Sequence, residues 1–373
     1  MTISASDLHR RAIIVDGHCD TPYRLHRHNV HLDEHDTEAQ ADLRSLQEGG
    51  ITASFFAAYV PPFYANRGAA RFARHLIHLI HTEARRREDV ATLCTDSAGI
   101  RTAKRDGKLA IMIGVEGGHA IEDSLDILRE LYSLGARYLT LTHVNTNNWC
   151  DSSGDGGRHG GLTGFGRDVV RTMNDLGMIV DVSHISDAAF AHVIETTRTP
   201  VVATHSSCRA LCRHPRNMTD DMLRALARNG GICMINFFSA FISDSVAQVI
   251  MNAQRRPKKD GGDPTGGTEE MPDDRTDWDS YLQWFQTLGC PTATLDQVAD
   301  HIFHAAEVAG IDHVGIGSDF DGVPALPEGL LTAAGLPSLT ARLLERGMRE
   351  EDVEKVLGGN FMRVFEAIEA AKT

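Results

Sequence analysis

Nitrogen and oxygen donors stand at the C-terminal ends of six short apolar runs in this chain. Asp16-Gly17-His18-Cys19-Asp20 closes the first run, Glu116 the third, His143 the fourth, His184 the fifth, His205 the sixth and Asp319 the eighth. His18 and Asp20 are two apart, so in extended chain both side chains leave the same side and Cys19 points away. One imidazole with two carboxylates makes a hard, oxygen-rich half-site. His184 and His205 add imidazoles for a second ion, and Glu116 is placed to bridge the two. Such a donor set suits a pair of divalent ions, with zinc the expected metal. Two ions a few ångströms apart would share a hydroxide and polarise a carbonyl.

A single histidine at a strand end is more often hydrogen-bonded structure than a ligand. The chain has 19 histidines, and most read as surface residues: His26, His28, His31 and His35 lie in a polar stretch, and His75, His78 and His81 on a helix. HxD alone is a weak signal. HxD together with a strand-end Glu and two further strand-end His residues is a strong one. Other chemistries find less support. The glycines of GVEGGH and of Asp151–Gly161 lack the GK[ST] ending of a phosphate loop, and suit close backbone approach or tight turns. Ser206 and Ser207 follow His205 without a G-x-S-x-G elbow, which argues against a serine hydrolase. The Met and Phe residues of Gly231–Phe238 read as core.

The elements that must position these donors alternate regularly. The apolar runs are Ala12–Asp16, Ile51–Tyr59, Leu109–Val115, Tyr138–Thr142, Met178–Val182, Pro200–Thr204, Gly231–Phe237 and His313–Gly317. Each is short and rich in Val, Ile or aromatics, as strands are. Helical patterns lie between them, at Arg71–Arg87, Ser124–Leu134, Arg167–Leu176, Asp187–Glu195, Asp220–Ala227 and Leu295–Ala309. Strands apolar on both faces and alternating with helices imply a parallel sheet. Eight such units point to a (β/α)8 barrel, with a doubly wound sheet as the alternative. Strand ends in such a barrel share one rim, where distant residues converge. Residues 1–373 read as one barrel domain. Arg255–Ser280, rich in Gly, Pro and charge, reads as a long insertion or lid after the seventh strand. Arg349–Ala370 reads as a helical tail, interrupted at Gly358-Gly359 and packed outside the barrel.

The chain of 373 residues carries a formal net charge of −14, which argues against nucleic-acid or anionic-membrane binding. It has no apolar run long enough to span a bilayer and no signal-peptide pattern, so the expected location is cytoplasmic. Seven cysteines, an odd number without a CxxC pair, suggest buried free thiols rather than disulfides or a zinc ribbon.

The stretches VDGHCD, GVEGGHAI, LTHVNTN, DVSHIS, THSSCRALCRHPRN, GIGSDFDG and VEKVLGGNFMRVF run from residue 15 to 365. With them the sequence resembles the membrane dipeptidase (renal dipeptidase) family, the M19 peptidases of the amidohydrolase superfamily. The resemblance implies one zinc held by His18, Asp20 and Glu116, and a second held by Glu116, His184 and His205. It also implies that His143 polarises the scissile carbonyl, that Arg216 clamps the free carboxylate of a dipeptide, and that Asp319 shuttles the proton. Cys19 stands where many relatives have another residue, and Arg255–Ser280 does not align.

The expected function is therefore zinc-dependent hydrolysis of free dipeptides, L,L and also L,D, by a metal-bridging hydroxide. Two divalent metal ions are the expected cofactors and a small dipeptide the expected partner, with a homodimer left open. Another binuclear-metal amide, lactam or ester hydrolase is one alternative. A degenerate member that binds or tailors a peptide is the other, although no ligand position is lost.

Overall fold

The computed structural model describes residues 4–34, 36, 38–254 and 278–373. Its strands are β1 (Val15–Cys19), β2 (Ala53–Tyr59), β3 (Ala91–Leu93), β4 (Leu109–Glu116), β5 (Ala136–Thr140), β6 (Ile179–Asp181), β7 (Val202–Ser206), β8 (Ile232–Ile235) and β9 (Val314–Ile316). All pair in parallel. β1 joins β2 and β9, β2 joins β4, and the ladder runs on through β5, β6, β7 and β8 back to β9. Eight strands thus close on themselves, and the (β/α)8 barrel, not the doubly wound sheet, is the fold. The remaining strand, β3, pairs with the start of β4 outside the closure.

Each apolar run became a barrel strand because both of its faces are buried. Val15, Phe55, Met112, Ile179, Val202 and Met234 fill the lumen. Their neighbours pack outward against the helices in a second cluster. The helices start where side chains satisfy their first N–H groups: Thr163 accepts from Gly166 N, Ser186 from Ala189 N and Thr219 from Met222 N. The long helix Leu295–Ala309 opens on a capping box between Thr294 and Gln297.

One expectation needs correction, and another falls almost wholly outside the described residues. The tail is helical over Glu350–Glu354 and Asn360–Ala370, with a wide turn at Lys355–Gly359 between them. It does not rest on the flank of the barrel. Phe361 and Phe365 join the lumen cluster, and Asn360 Nδ2 donates to Ile311 O and Val314 O at the foot of β9. The tail therefore floors the barrel and leaves the C-terminal rim as its open end. The insertion expected over Arg255–Ser280 lies outside the described residues as far as 277. Its last three positions already belong to the helix Trp278–Thr287.

Candidate active site

The polar rim converges above the lumen. His18, Asp20, Glu116, His184, His205, Arg216 and Asp319 are all buried there, and His143 is half-buried beside them. Glu116, the last residue of β4, stands between two groups. Its Oε2 lies 3.5 Å from His18 Nε2, which is itself 3.3 Å from Asp20 Oδ2. Its Oε1 lies 3.1 Å from His184 Nε2 and 3.3 Å from His205 Nε2, and those two nitrogens are 2.9 Å apart. Neighbouring ligand atoms around a tetrahedral zinc, with bonds of about 2.0–2.1 Å, stand about 3.3 Å apart. The spacings observed on both sides of Glu116 fit that edge length. Two buried atoms of the first group, His18 Nε2 and Asp20 Oδ1, have no hydrogen-bond partner, as donors waiting for a cation would.

The convergence of His18 and Asp20 does not come from simple alternation. A Cβ on Gly17 would face Met234 Sδ at 2.6 Å, inside the lumen, so a regular strand would turn His18 outward. The ladder with β2 slips between Asp16 and Cys19, and this irregularity swings His18 to the rim. Asp20 follows at φ −90° and ψ 15°, outside the strand, as the residue before the helix Thr21–His28. Cys19 does point away: its Sγ meets Thr21 Oγ1 at 2.8 Å among helix-facing residues. Cys19→Ser is therefore expected to bind the same number of ions as wild type and to keep most of its activity. Loss of metal from that variant, measured by elemental analysis, would place the thiol in the site after all.

The backbone and nearby side chains hold the donors rigidly. His184 and Asp319 adopt left-handed backbone, with φ 71° and 65°. Such conformations cost about 1–3 kcal/mol each and persist where the surroundings over-determine them. Asp319 Oδ2 accepts from Asn236 Nδ2 at 2.7 Å. Gly322 is required by closeness: a Cβ there would stand 2.1 Å from Asp20 Oδ2 and 2.6 Å from Asp319 Oδ1. Gly114 serves differently from the close backbone approach expected of it. The Tyr138 ring occupies the space of its missing Cβ, which would lie 1.9 Å from Cζ, and so brings the hydroxyl to 2.8 Å from His18 Nδ1.

Crowding shows in the charges. Burial pushes Asp20 and Asp319 up to about 6 each, against the pull of His18. Glu116 is raised mainly by burial. Burial also drives His184 and His205 well below the usual imidazole value, with Arg216 adding to it, so both rings are neutral and can offer lone pairs. Burial acts on His18 in the same direction, but Glu116 and Asp20 outweigh it and raise the ring well above its usual value. Asp20, Glu116 and Asp319, with the neutral rings of His184 and His205, form a donor set that divalent cations would satisfy, beside the charged His18 and Arg216.

Arg216 sits at the edge of this cluster, 6% exposed. Its Nη2 donates to His205 O at 2.9 Å and its Nη1 to Ser206 Oγ at 3.3 Å, while Nε has no partner. The guanidinium lies over the Phe241 ring at 5.2 Å. Burial pulls it down to about 10, with Asp319 and Glu116 opposing. The nearby acids are engaged elsewhere: Asp221 with Arg224, and Asp220 with Arg224 and His304. His143 lies 4.4 Å ring-to-ring from His184 and 4.8 Å from Tyr59. Asp20, Glu116, His143, His184, Arg216 and Asp319 line one cavity of about 410 Å3, whose lining also has an apolar part, with Phe238, Phe241, Ile250 and Val323. That volume suits a small molecule.

The sequence reading missed Asn236 and Tyr138. Asn236 carried the same signal as the others, a polar residue at the end of an apolar strand. Tyr138 carried none until its strand was laid against Gly114.

A parallel barrel whose C-terminal rim gathers buried imidazoles and carboxylates able to hold metal is the architecture of a metal-dependent hydrolase. The family model described as membrane dipeptidase (peptidase family M19) matches residues 3–373, and the chain belongs to that family. It is a metallo-dipeptidase by that membership. Dipeptidase verJ of Clonostachys rogersoniana is 35% identical over 378 residues, covering 95% of this chain and 84% of the relative. The probable dipeptidase PvdM from Pseudomonas aeruginosa superposes with a TM-score of 0.82 at 26% identity, covering 98% of each chain. A metallopeptidase from Rhodobacter sphaeroides, liganded with a phosphinate mimic of the dipeptide L-Ala-D-Ala, gives a TM-score of 0.77 at 25% identity, covering 95% of this chain and 99% of that one. No helix among the described residues is long and apolar enough to cross a membrane.

Proposed function

We propose that the chain hydrolyses the single peptide bond of free dipeptides, L,D as well as L,L, with two zinc ions at the rim. One ion is assigned to His18, Asp20 and Glu116, the other to Glu116, His184 and His205. The ligand-atom spacings and the neutral state of His184 and His205 support this assignment. Divalent ions in such a pair supply Lewis acidity, which lowers the pKa of water and polarises a carbonyl.

The protein's own groups divide the remaining work. Asp319 has Oδ2 anchored by Asn236, which leaves Oδ1 to take the proton of the attacking water and pass it to the leaving amine. His143, on the wall beside His184, donates to the oxygen that becomes negative as the carbonyl turns tetrahedral. Arg216 holds the free carboxylate. Tolerance of a D-residue at the C-terminal position is supported by the ligand of the Rhodobacter sphaeroides relative, a mimic of L-Ala-D-Ala.

The observation that carries the reading is the buried Arg216 guanidinium on the wall of the same cavity as Glu116 and Asp319. A guanidinium matches a carboxylate with two parallel hydrogen bonds, which lysine cannot reproduce. Removing one side of a desolvated charged pair costs about 2–5 kcal/mol, roughly 30- to several-thousand-fold in kcat/KM. Arg216→Met should lose that much on a free dipeptide. It should lose little on the same dipeptide with an amidated C-terminus, which the wild type should already handle poorly. Metal analysis of the variant controls for the lost bond to His205 O. Equal losses on acid and amide, with metal retained, would show that Arg216 does not read the carboxylate.

A further inference from the structure

We infer that Asp181, acting through the hydroxyl of Thr204, fixes which nitrogen of His205 carries the proton and so keeps one half of the cation site competent. The inference rests on the two-cation reading above. It gives a positioning role to two residues whose side chains stand behind the ligands.

Asp181 is the last residue of β6 and is fully buried. Both of its oxygens are doubly engaged. Oδ1 accepts the backbone N–H groups of Ser183 and Thr204, each at 3.0 Å. Oδ2 accepts the hydroxyls of Thr140 at 2.5 Å and Thr204 at 2.8 Å. A hydroxyl has one proton to donate, and that of Thr204 is directed at the carboxylate. What Thr204 Oγ1 turns towards His205 Nδ1, 2.8 Å away, is therefore a lone pair. The proton in that contact belongs to the ring. His205 is the Nδ1–H tautomer, and its Nε2 presents a lone pair 3.3 Å from Glu116 Oε1. In the other half-site His18 Nδ1 is tied to Tyr138 instead, out of reach of this chain of bonds.

The substitution Asp181→Asn reverses the chain without changing its shape. The two backbone N–H groups at the Oδ1 position select the amide oxygen there. The amide nitrogen then faces the Thr204 hydroxyl and donates to it. Thr204 then turns its proton to His205 Nδ1 at 2.8 Å in preference to the more distant Ser183 Oγ at 3.5 Å, which drives the ring proton onto Nε2, where a cation should bind. Partners behind a ligand are typically worth about 10–100-fold in metal affinity.

The test is competition between a chelator and the metal-free protein for zinc, resolved into two binding steps, on wild type, Asp181→Asn, Thr204→Ser and Thr204→Val. Wild type and Thr204→Ser should bind both ions alike. Asp181→Asn and Thr204→Val should hold one ion at wild-type affinity and the second about 10–100-fold more weakly. A merely structural role would weaken both ions together, or lower only the melting temperature of the metal-free protein. Wild-type affinities in Asp181→Asn would overturn the relay alone, as would Thr204→Ser binding as weakly as Thr204→Val. If Asp181→Asn does not fold, the Ser and Val pair decides by the same criterion. A wild-type protein that takes up a single ion would overturn the two-cation reading, and the relay with it.

Discussion

Asp319→Asn is expected to lower kcat by about 10²–10⁴-fold, the usual worth of a positioned acid–base group, while both ions stay bound. The expected size follows from how little else changes. Asparagine tolerates the left-handed backbone at this position, where φ is 65°. Asn236 donates its Nδ2 to the Oδ2 position, so the new amide must turn its oxygen that way. Its NH2 group then occupies the place of Oδ1, beside Asp20 and His18, and cannot take a proton. Steady-state kinetics with elemental analysis of the same sample separates the outcomes. An unchanged kcat would move the proton transfer to another group. A loss of metal would make Asp319 chiefly a ligand, which its closeness to His18 and Asp20 permits.

Glu116→Gln should be still more damaging, because one side chain serves both groups. Each carboxylate oxygen faces a different set of imidazoles, Oε2 towards His18 and Oε1 towards His184 and His205. A carboxamide can offer an oxygen to only one of them, and it presents N–H bonds to the other. It also removes a negative charge from between the half-sites. Bound metal should fall from two ions to one or fewer, and kcat/KM should drop by more than about 10⁴-fold, the upper end for a single acid–base group. Near-normal loading of Glu116→Gln would mean that the two groups do not share this residue.

Much of this site was legible because an α/β barrel turns strand ends into one rim. His18, Glu116, His143, His184, His205 and Asp319 each follow an apolar run, and that rule alone brings them together. Asn236 obeyed the same rule and was hidden by the Met and Phe residues around it. Other features had no local signal. The slip in the β1 ladder, beside the place where Gly17 faces Met234 across the lumen, is something alternation along one strand cannot show. Tyr138 reaches His18 only because Gly114, opposite it on β4, leaves room for the ring. Asp181 looks in the sequence like one more residue of a short strand; its meaning appears when Thr140 and Thr204 arrive from the neighbouring strands. β3 is three residues long and pairs outside the closure, so neither length nor pattern announced it. The floor of the barrel was likewise a tertiary matter, since an amphipathic tail says nothing of which surface it will cover.

The most direct test of the account is a zinc titration of exhaustively metal-free protein, followed by hydrolysis of a free dipeptide at each point. A two-zinc mechanism requires no activity without metal, full activity at two equivalents per chain, and reversible loss on chelation. Full activity in metal-free protein, or a plateau reached at one equivalent, would contradict it.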